Sequence, residues 1–248
     1  MPTFKLTLAY DGTNYVGWQR QAAGTSIQGL IEDALRELDG RDVMVNGAGR
    51  TDAGVHALGQ VASCTLERTL EGPVLVRALN ARLPPDVRAL SAELAAAGFH
   101  ARFAATAKTY RYRFFDAPVI SPFERLYAWH VAGGLDVEAM NAAARMLEGR
   151  HDFAAFASAG GASATTERRV MSATVARDPQ GFVVLEITGD GFLRHMVRAI
   201  AGTLVEIGRG RQPRETVPDV LASRDRSRAG PTAPARGLFL VAVEYADL

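Results

Sequence analysis

The spacing of apolar residues along this chain writes one order of elements twice. Thr-Phe-Lys-Leu-Thr-Leu-Ala-Tyr at 3–10 alternates and is rich in strand formers, and Asp11-Gly12 stops it. Ser26 then stands as an N-cap before Ile27, Leu30, Ile31, Ala34, Leu35 and Leu38, the series of a helix with one apolar face. Short strands at 43–46 and 59–66 bracket a loop from Gly47 to Leu58. A helix over 73–82 ends at Pro84-Pro85, and 87–95 reads as a strand. The second half has a strand at 107–115, an alanine-rich helix at 136–148, and strands at 169–177 and 181–189 around the turn Asp178–Gly181. A helix over 191–208, a shorter one over 216–223 and a closing strand at 238–245 complete it.

Each half is therefore β-α-β-β-α-β with insertions, the order of a ferredoxin-like split βαβ unit whose antiparallel strands carry both helices on one face. The expectation is an α+β chain of two such units side by side with a cleft between their sheets, divided into 1–104 and 105–248. The repeat lies in element order, not in residue identity. The uncharged stretch 153–166, with Gly160-Gly161 and many Ser and Thr, predicts a mobile connection.

Composition narrows the class. With 248 residues, 48% of them hydrophobic, the chain buries a real core, and no run approaches the roughly 18 apolar residues of a membrane helix. MPTFKLTLAYDG lacks the regions of a signal peptide, so a soluble, cytoplasmic protein is expected. Cys64 is the one cysteine and lies in an apolar run, which reads as a small buried hydrophobe and excludes an intrachain disulfide. The five histidines lack zinc-helix spacing, so no metal site is expected. The net charge of +1 announces no polyanionic partner, but residues 1–99 carry 9 basic and 11 acidic groups while the remainder carry 19 and 16. All but two of the basic residues are Arg, the exceptions being Lys5 and Lys108.

Three segments carry the candidate chemistry. Gly47-Ala-Gly-Arg-Thr-Asp-Ala-Gly-Val-His56 presents Arg50, Thr51 and Asp52 from a tightly shaped turn. It is an ordinary glycine-rich turn, a phosphate cradle, or the seat of a catalytic carboxylate; the cradle fails because no Lys-Ser/Thr and no helix follow the glycines. From 99 to 113 there are four Arg or Lys, four aromatics and no acid. Tyr110 and Tyr112 share one face of that strand, and Arg111 and Arg113 the other. This is either a half-buried strand or the phosphate-neutralising, base-stacking surface that single-stranded nucleic acid requires. In Phe192–Ile200, Arg194 and Arg198 fall off the apolar stripe, as solvated arginines do. Arg209 and Arg211, then Arg224, Arg226 and Arg228, form a solvated face or a phosphate track. A turn-rich loop, YDGTNYVGWQRQ at 10–21, brings an exposed Trp and Tyr that are either packing or contact residues, which composition does not separate.

Together these pieces resemble one family, the tRNA pseudouridine synthases of the TruA type. The matching motifs are YDGTNYVGWQRQ (10–21), SIQ (26–28), GRTDAGVHALGQV (49–61), FHARF with AKTYRY (99–112), FLRHMVR (192–198) and LFLVAVEY (238–245). They stand in family order over nearly the whole chain. One departure is Ala199, where related sequences often carry Asn.

The resemblance implies the pseudouridine synthase fold, two RRM-like units with a central active-site cleft. It implies that Asp52 is the nucleophile, Tyr110 a substrate-contacting tyrosine and Arg198 the arginine that pairs with the aspartate. Arg50 and Thr51 fall among the residues that hold the target nucleotide. The substrate implied is tRNA, at uridines 38, 39 and 40 of the anticodon stem-loop. The reaction breaks N1–C1′, turns the uracil and joins C5 to C1′, so no cofactor and no metal is demanded. A homodimer is the family's assembly. Lys108, Arg111, Arg209 and Arg211 are the expected phosphate contacts. The rival is a non-catalytic structured-RNA-binding protein on the same scaffold, but a binder has no use for a carboxylate among phosphates.

Overall fold

Alternation in the first eight apolar and polar positions becomes the strand β1 (Thr3–Tyr10), with Phe4, Leu6, Leu8 and Tyr10 buried. In this computed structural model residues 1–160 and 164–246 are described. The fold is mixed α+β and mostly antiparallel, and its residues group into two units, Met1–Thr106 with the closing segment from Phe239, and Ala107–Leu238.

In the first unit β1 lies between β3 (His56–Thr65) and β4 (Val87–Ala95), antiparallel to both. The first and third strands are thus neighbours, as the split βαβ order requires. Two residues of β2 (Asn46–Gly47) pair with β3, and β10 (Leu238–Tyr245) runs parallel to β3 at Phe239↔His56 and Leu240↔Ala57. Strand β3 is buried on both faces, which explains a run with little polar alternation. Cys64 and Ala62 pair with Phe4 and Leu6; on the other face Val61 packs with Ala48, Ala101, Phe99 and Tyr245. Burial pushes the Cys64 thiol up to about 12, helped by the charge of Asp39, so it is inert packing. Helix α1 (Ile27–Asp39) begins where Ser26 Oγ accepts from Gly29 N–H and ends at Gly40, φ +77°. Helix α2 (Gly72–Asn80) packs on β4.

In the second unit β5 (Ala105–Phe115), β9 (Val183–Gly189), β8 (Glu167–Arg177) and β7 (Gly149–Asp152) follow one another antiparallel. A two-residue β6 (Trp129–His130) runs parallel to β5. Helix α3 (Val137–Arg145) lies on β8 and against α4 (Met196–Gly208), and α5 (Thr216–Ser223) follows. Every residue of α4 except Arg198 and Glu206 is buried, because the segment 230–233 closes its remaining side. Gly202 admits that segment: a Cβ there would lie 1.7 Å from Pro231 O. No helix among the described residues is long and apolar enough to cross a membrane.

Several elements differ from the expectation. The closing strand groups with the first unit, whereas a division at 104/105 leaves it with the second; its pairing to β3 and the packing of Val243 and Tyr245 are long-range and leave no local signal. That parallel pairing also begins β3 at His56 rather than 59. Helix α4 begins at Met196 rather than 191, because His195 sits at φ +61° with its Nδ1 2.8 Å from Ser158 Oγ. Arg194 is therefore not on the helix. Within 153–166 the expected mobile connection gives way to a 3-10 turn at Ala154–Phe156, with Phe153, Ala155 and Phe156 fully buried; 161–163 lie outside the described residues. Trp18 and Tyr15, expected to be exposed, are 2% and 8% exposed.

One ion pair ties the second unit together. Asp116 accepts from both Arg177 Nη atoms at 2.9 Å and from Leu135 N–H at 3.0 Å. The Arg177 hydrogen bonds hold its carboxyl below the usual range. A depressed carboxyl contributes stability that is present above its unfolded value and lost as pH falls through its folded one. Asp116→Asn should lower stability by about 2 kcal/mol at neutral pH. Urea unfolding of both proteins should show that gap closing only as pH drops below the normal carboxylate range.

Candidate active site

Asp52 stands at the start of a tight turn, Asp52-Ala53-Gly54-Val55, closed by Val55 N–H donating to Asp52 O at 3.1 Å. Gly54 takes φ +77°, the left-handed third position that favours glycine. The carboxylate-bearing residue is half-buried and Arg50 is exposed. Thr51 between them is buried, its hydroxyl 2.8 Å from Tyr10 Oη. Gln60 donates from Nε2 to Gly49 O at 2.9 Å and lies 3.4 Å from the same tyrosine oxygen. Burial pushes Tyr10 up to about 12, against the opposing hydrogen bonds from Thr51 and Gln60, so it remains a neutral hydroxyl at any working pH.

The loop after β1 grips this turn from its other side. Trp18 N–H donates to Thr51 O at 3.0 Å. Gly17, at φ +104°, comes so close that a Cβ would lie 2.6 Å from Thr51 O and 3.0 Å from the Asp52 carbonyl carbon. A Cβ on Gly12 would lie 2.0 Å from Val55 O. Gly12 N–H donates to His56 Nδ1 at 3.1 Å, Asp11 Oδ1 lies 3.0 Å from that nitrogen, and the imidazole stacks on Phe239 at 4.7 Å. The backbone around Asp52 is thus held by two strands and one loop before any ligand arrives, which is what catalytic preorganisation requires. Tyr10, Gly12, Gly17, Trp18 and Gln60 were not singled out from sequence for this role. The signal was the conjunction of a glycine-spaced loop with a second glycine-rich turn. Gly17→Ala should destabilise the fold by about 1–3 kcal/mol through backbone strain. It should also slow single-turnover chemistry more than tenfold, as quench-flow on the folded fraction would show.

The other candidates belong to the second unit. Tyr110 is buried on β5, opposite Ile187 of β9, with its ring 5.1 Å from and edge-on to Phe192. Arg198 is half-buried in the first turn of α4, and its Nε donates to Ala233 O at 2.7 Å, while Ala233 N–H donates to Arg198 O at 3.0 Å. The 230–233 segment therefore fixes the direction of this guanidinium. Its charge is felt by Tyr112, whose phenol is raised by burial and drawn back by Arg198 and Arg236. Arg194 is exposed and reaches Ala159 O instead. The reading of Arg198 as a solvated surface arginine fails, since it alone of the two has a defined seat against buried backbone.

Among the expected phosphate contacts, Arg111 places Nε and Nη2 at 3.2 and 2.8 Å from one Glu186 oxygen. Arg211 lies 3.3 Å from Glu206, and Arg209 is exposed at the end of α4. Lys108 is half-buried on β5. Exposed pairs of this kind are worth about 0–1 kcal/mol, so a phosphate can replace the glutamate.

The tRNA pseudouridine synthase family matches this chain over residues 7–104 and 143–246. A tRNA pseudouridine synthase A from Pelobacter propionicus is 49% identical over 245 residues, spanning 99% of this chain and 100% of that protein. Its namesake from Moorella thermoacetica is 49% identical over 247 residues, spanning 99% and 100%. A third, from Myxococcus xanthus, is 49% identical over 247 residues, spanning 100% and 93%. Matches that run through the Asp52 turn, β5 and α4 alike leave one assignment: the chain belongs to the tRNA pseudouridine synthase family.

Proposed function

We propose that this chain converts uridine to pseudouridine in tRNA, at positions 38, 39 and 40 of the anticodon arm, with Asp52 as the nucleophile. The observation that carries the reading is the half-buried Asp52 on a backbone clamped by Tyr10, Trp18 and Gln60. A carboxylate carried on a backbone held this firmly suits covalent catalysis, in which one difficult displacement is split into two easier ones.

The isomerisation is redox-neutral. The N1–C1′ bond breaks, the uracil turns, C5 bonds to C1′, and the C5 proton is lost while N1 gains one. The Asp52 carboxylate holds the ribose or the base covalently while the ring turns. It must be ionised to do so, and the family resemblance assigns Arg198 as the cation that pairs with it. The target base is unreachable inside a stem and has to be flipped out. Tyr110 is the aromatic on which uracil stacks, with its hydroxyl near the C5 proton. Arg50, exposed beside Asp52, holds the extruded nucleotide, and the Thr51 hydroxyl keeps the turn in place. We extend the reading to a cytoplasmic homodimer, whose subunits of 26.6 kDa give a mass that light scattering tests directly.

Incubating the protein with an unmodified tRNA transcript and mapping carbodiimide-induced reverse-transcription stops tests the position. Stops confined to 38–40 support the reading; modification elsewhere only, or none, overturns it. Phosphate neutralisation makes a second demand. Affinity for tRNA should fall steeply with salt, removing Arg209 should lower the log–log slope by about 0.7–0.9, and removing Lys108 should lower it as well. Arg111 and Arg211, partly neutralised by Glu186 and Glu206, should each lower it less. Filter binding from low to moderate salt measures all four.

A further inference from the structure

We propose that the turn His100–Phe103 is a stacking platform for an unpaired base of the tRNA, an inference that rests on the reading of tRNA as substrate. Phe103 is 77% exposed, which is unusual for a large aromatic side chain held by ordered neighbours. The turn beneath it is nailed to the first unit at Ala101, which is fully buried. Ala101 N–H donates to Ser63 Oγ of β3 at 3.1 Å, and Tyr245 Oη of β10 donates to Ala101 O at 2.8 Å. Burial raises the Tyr245 phenol, so that donor keeps its proton. Phe103 N–H and Ala104 N–H both donate to His100 O, at 3.1 and 3.0 Å, and Arg102 N–H donates to His100 Nδ1 at 3.2 Å.

The backbone entropy of presenting Phe103 is therefore already spent in the fold, and the ring is offered to solvent rather than to a core. Its surroundings choose the occupant. The His100 ring lies 4.3 Å from it at 34°, and the Arg102 guanidinium lies 5.8 Å from its centroid, itself exposed. A largely exposed phenyl ring tilted against a second ring, with a guanidinium over it, matches a nucleobase joined to a phosphate: the exposed ring surface for the base, charge for the backbone. A protein partner would meet a lone phenyl flanked by positive charge, a poor core for an interface. Paired bases are already stacked on their neighbours, so the platform selects an unpaired one.

The test uses the full-length protein with two RNAs, an unmodified tRNA transcript and a fully base-paired RNA duplex. Phe103→Leu keeps an apolar side chain and removes the π face. It should weaken tRNA binding about tenfold, equivalent to about 1.4 kcal/mol, with duplex affinity and salt slope unchanged. Phe103→Tyr should restore tRNA binding. Thermal melting should be unaffected in both, since Phe103 contributes little to the core. The proposal is overturned if Phe103→Leu binds tRNA as wild type does, or if both RNAs weaken equally. It is equally overturned if the variant changes its mass by light scattering while tRNA binding stays intact, which marks a contact between copies of the chain. A wild type that binds tRNA but forms no pseudouridine sinks the catalytic reading alone, so the two failures are distinguishable.

Discussion

Asp52→Asn is expected to abolish pseudouridine formation while leaving tRNA affinity within about tenfold, or about 1.4 kcal/mol. Asparagine keeps the size of the side chain and most of its hydrogen bonding, and the turn that carries it is closed by backbone groups, Val55 N–H to Asp52 O and Trp18 N–H to Thr51 O. The geometry of the loop should therefore survive. What is lost is the anionic nucleophile, without which the two-step route has no first step. Filter binding and single-turnover rates on the same preparation separate the two quantities. A fall in affinity of several orders would instead make Asp52 a binding residue.

Arg198→Lys should slow turnover more than tenfold, and Arg198→Met should slow it further. Lysine retains the charge but lacks the planar fork that donates Nε–H to Ala233 O at 2.7 Å while presenting the far side of the guanidinium elsewhere. Methionine removes the charge, and with it the cation that the proposal assigns to Asp52. Arg194→Met is the control: that side chain is exposed, precedes the helix and reaches Ala159 O, so its loss should change the rate less than about threefold. If Arg198→Met turns over as fast as wild type, Arg198 is no partner of Asp52, and its bond to Ala233 is its whole role.

The elements with local signals were legible before the structure. The alternation of 3–10, the Ser26 cap and the Asp178–Gly181 turn each specify their own geometry, and each occurs where expected. Misreadings cluster where long-range contact overrides local pattern. The helix expected from 191 is cut back to Met196 because His195 takes a left-handed conformation beside Ser158. The uncharged 153–166 stretch reads as a mobile connection, yet Phe153 and Phe156 are core residues. In the site, Asp52 and Arg50 were legible as a motif, because a catalytic loop must carry its chemistry in adjacent residues. Its supports were not. Tyr10 and Gly17 are far from Asp52 along the chain, brought to it by pairing of β1 with β3 and by the loop after β1, while Gln60 reads as an ordinary residue of β3. For Arg198 the helical wheel pointed to solvent, since a wheel contains no information about the 230–233 segment that seats it.

Isomerisation through C5 offers the most direct measurement, because the C5 proton is lost when the new C5–C1′ bond forms. Unmodified tRNA transcribed with uridine tritiated at C5 should release label to water when incubated with the wild-type protein, in proportion to the target uridines. The Asp52→Asn protein should release none. Label release by that variant at the wild-type rate, with deamidation to aspartate excluded by mass spectrometry, would contradict the assignment of Asp52 as nucleophile.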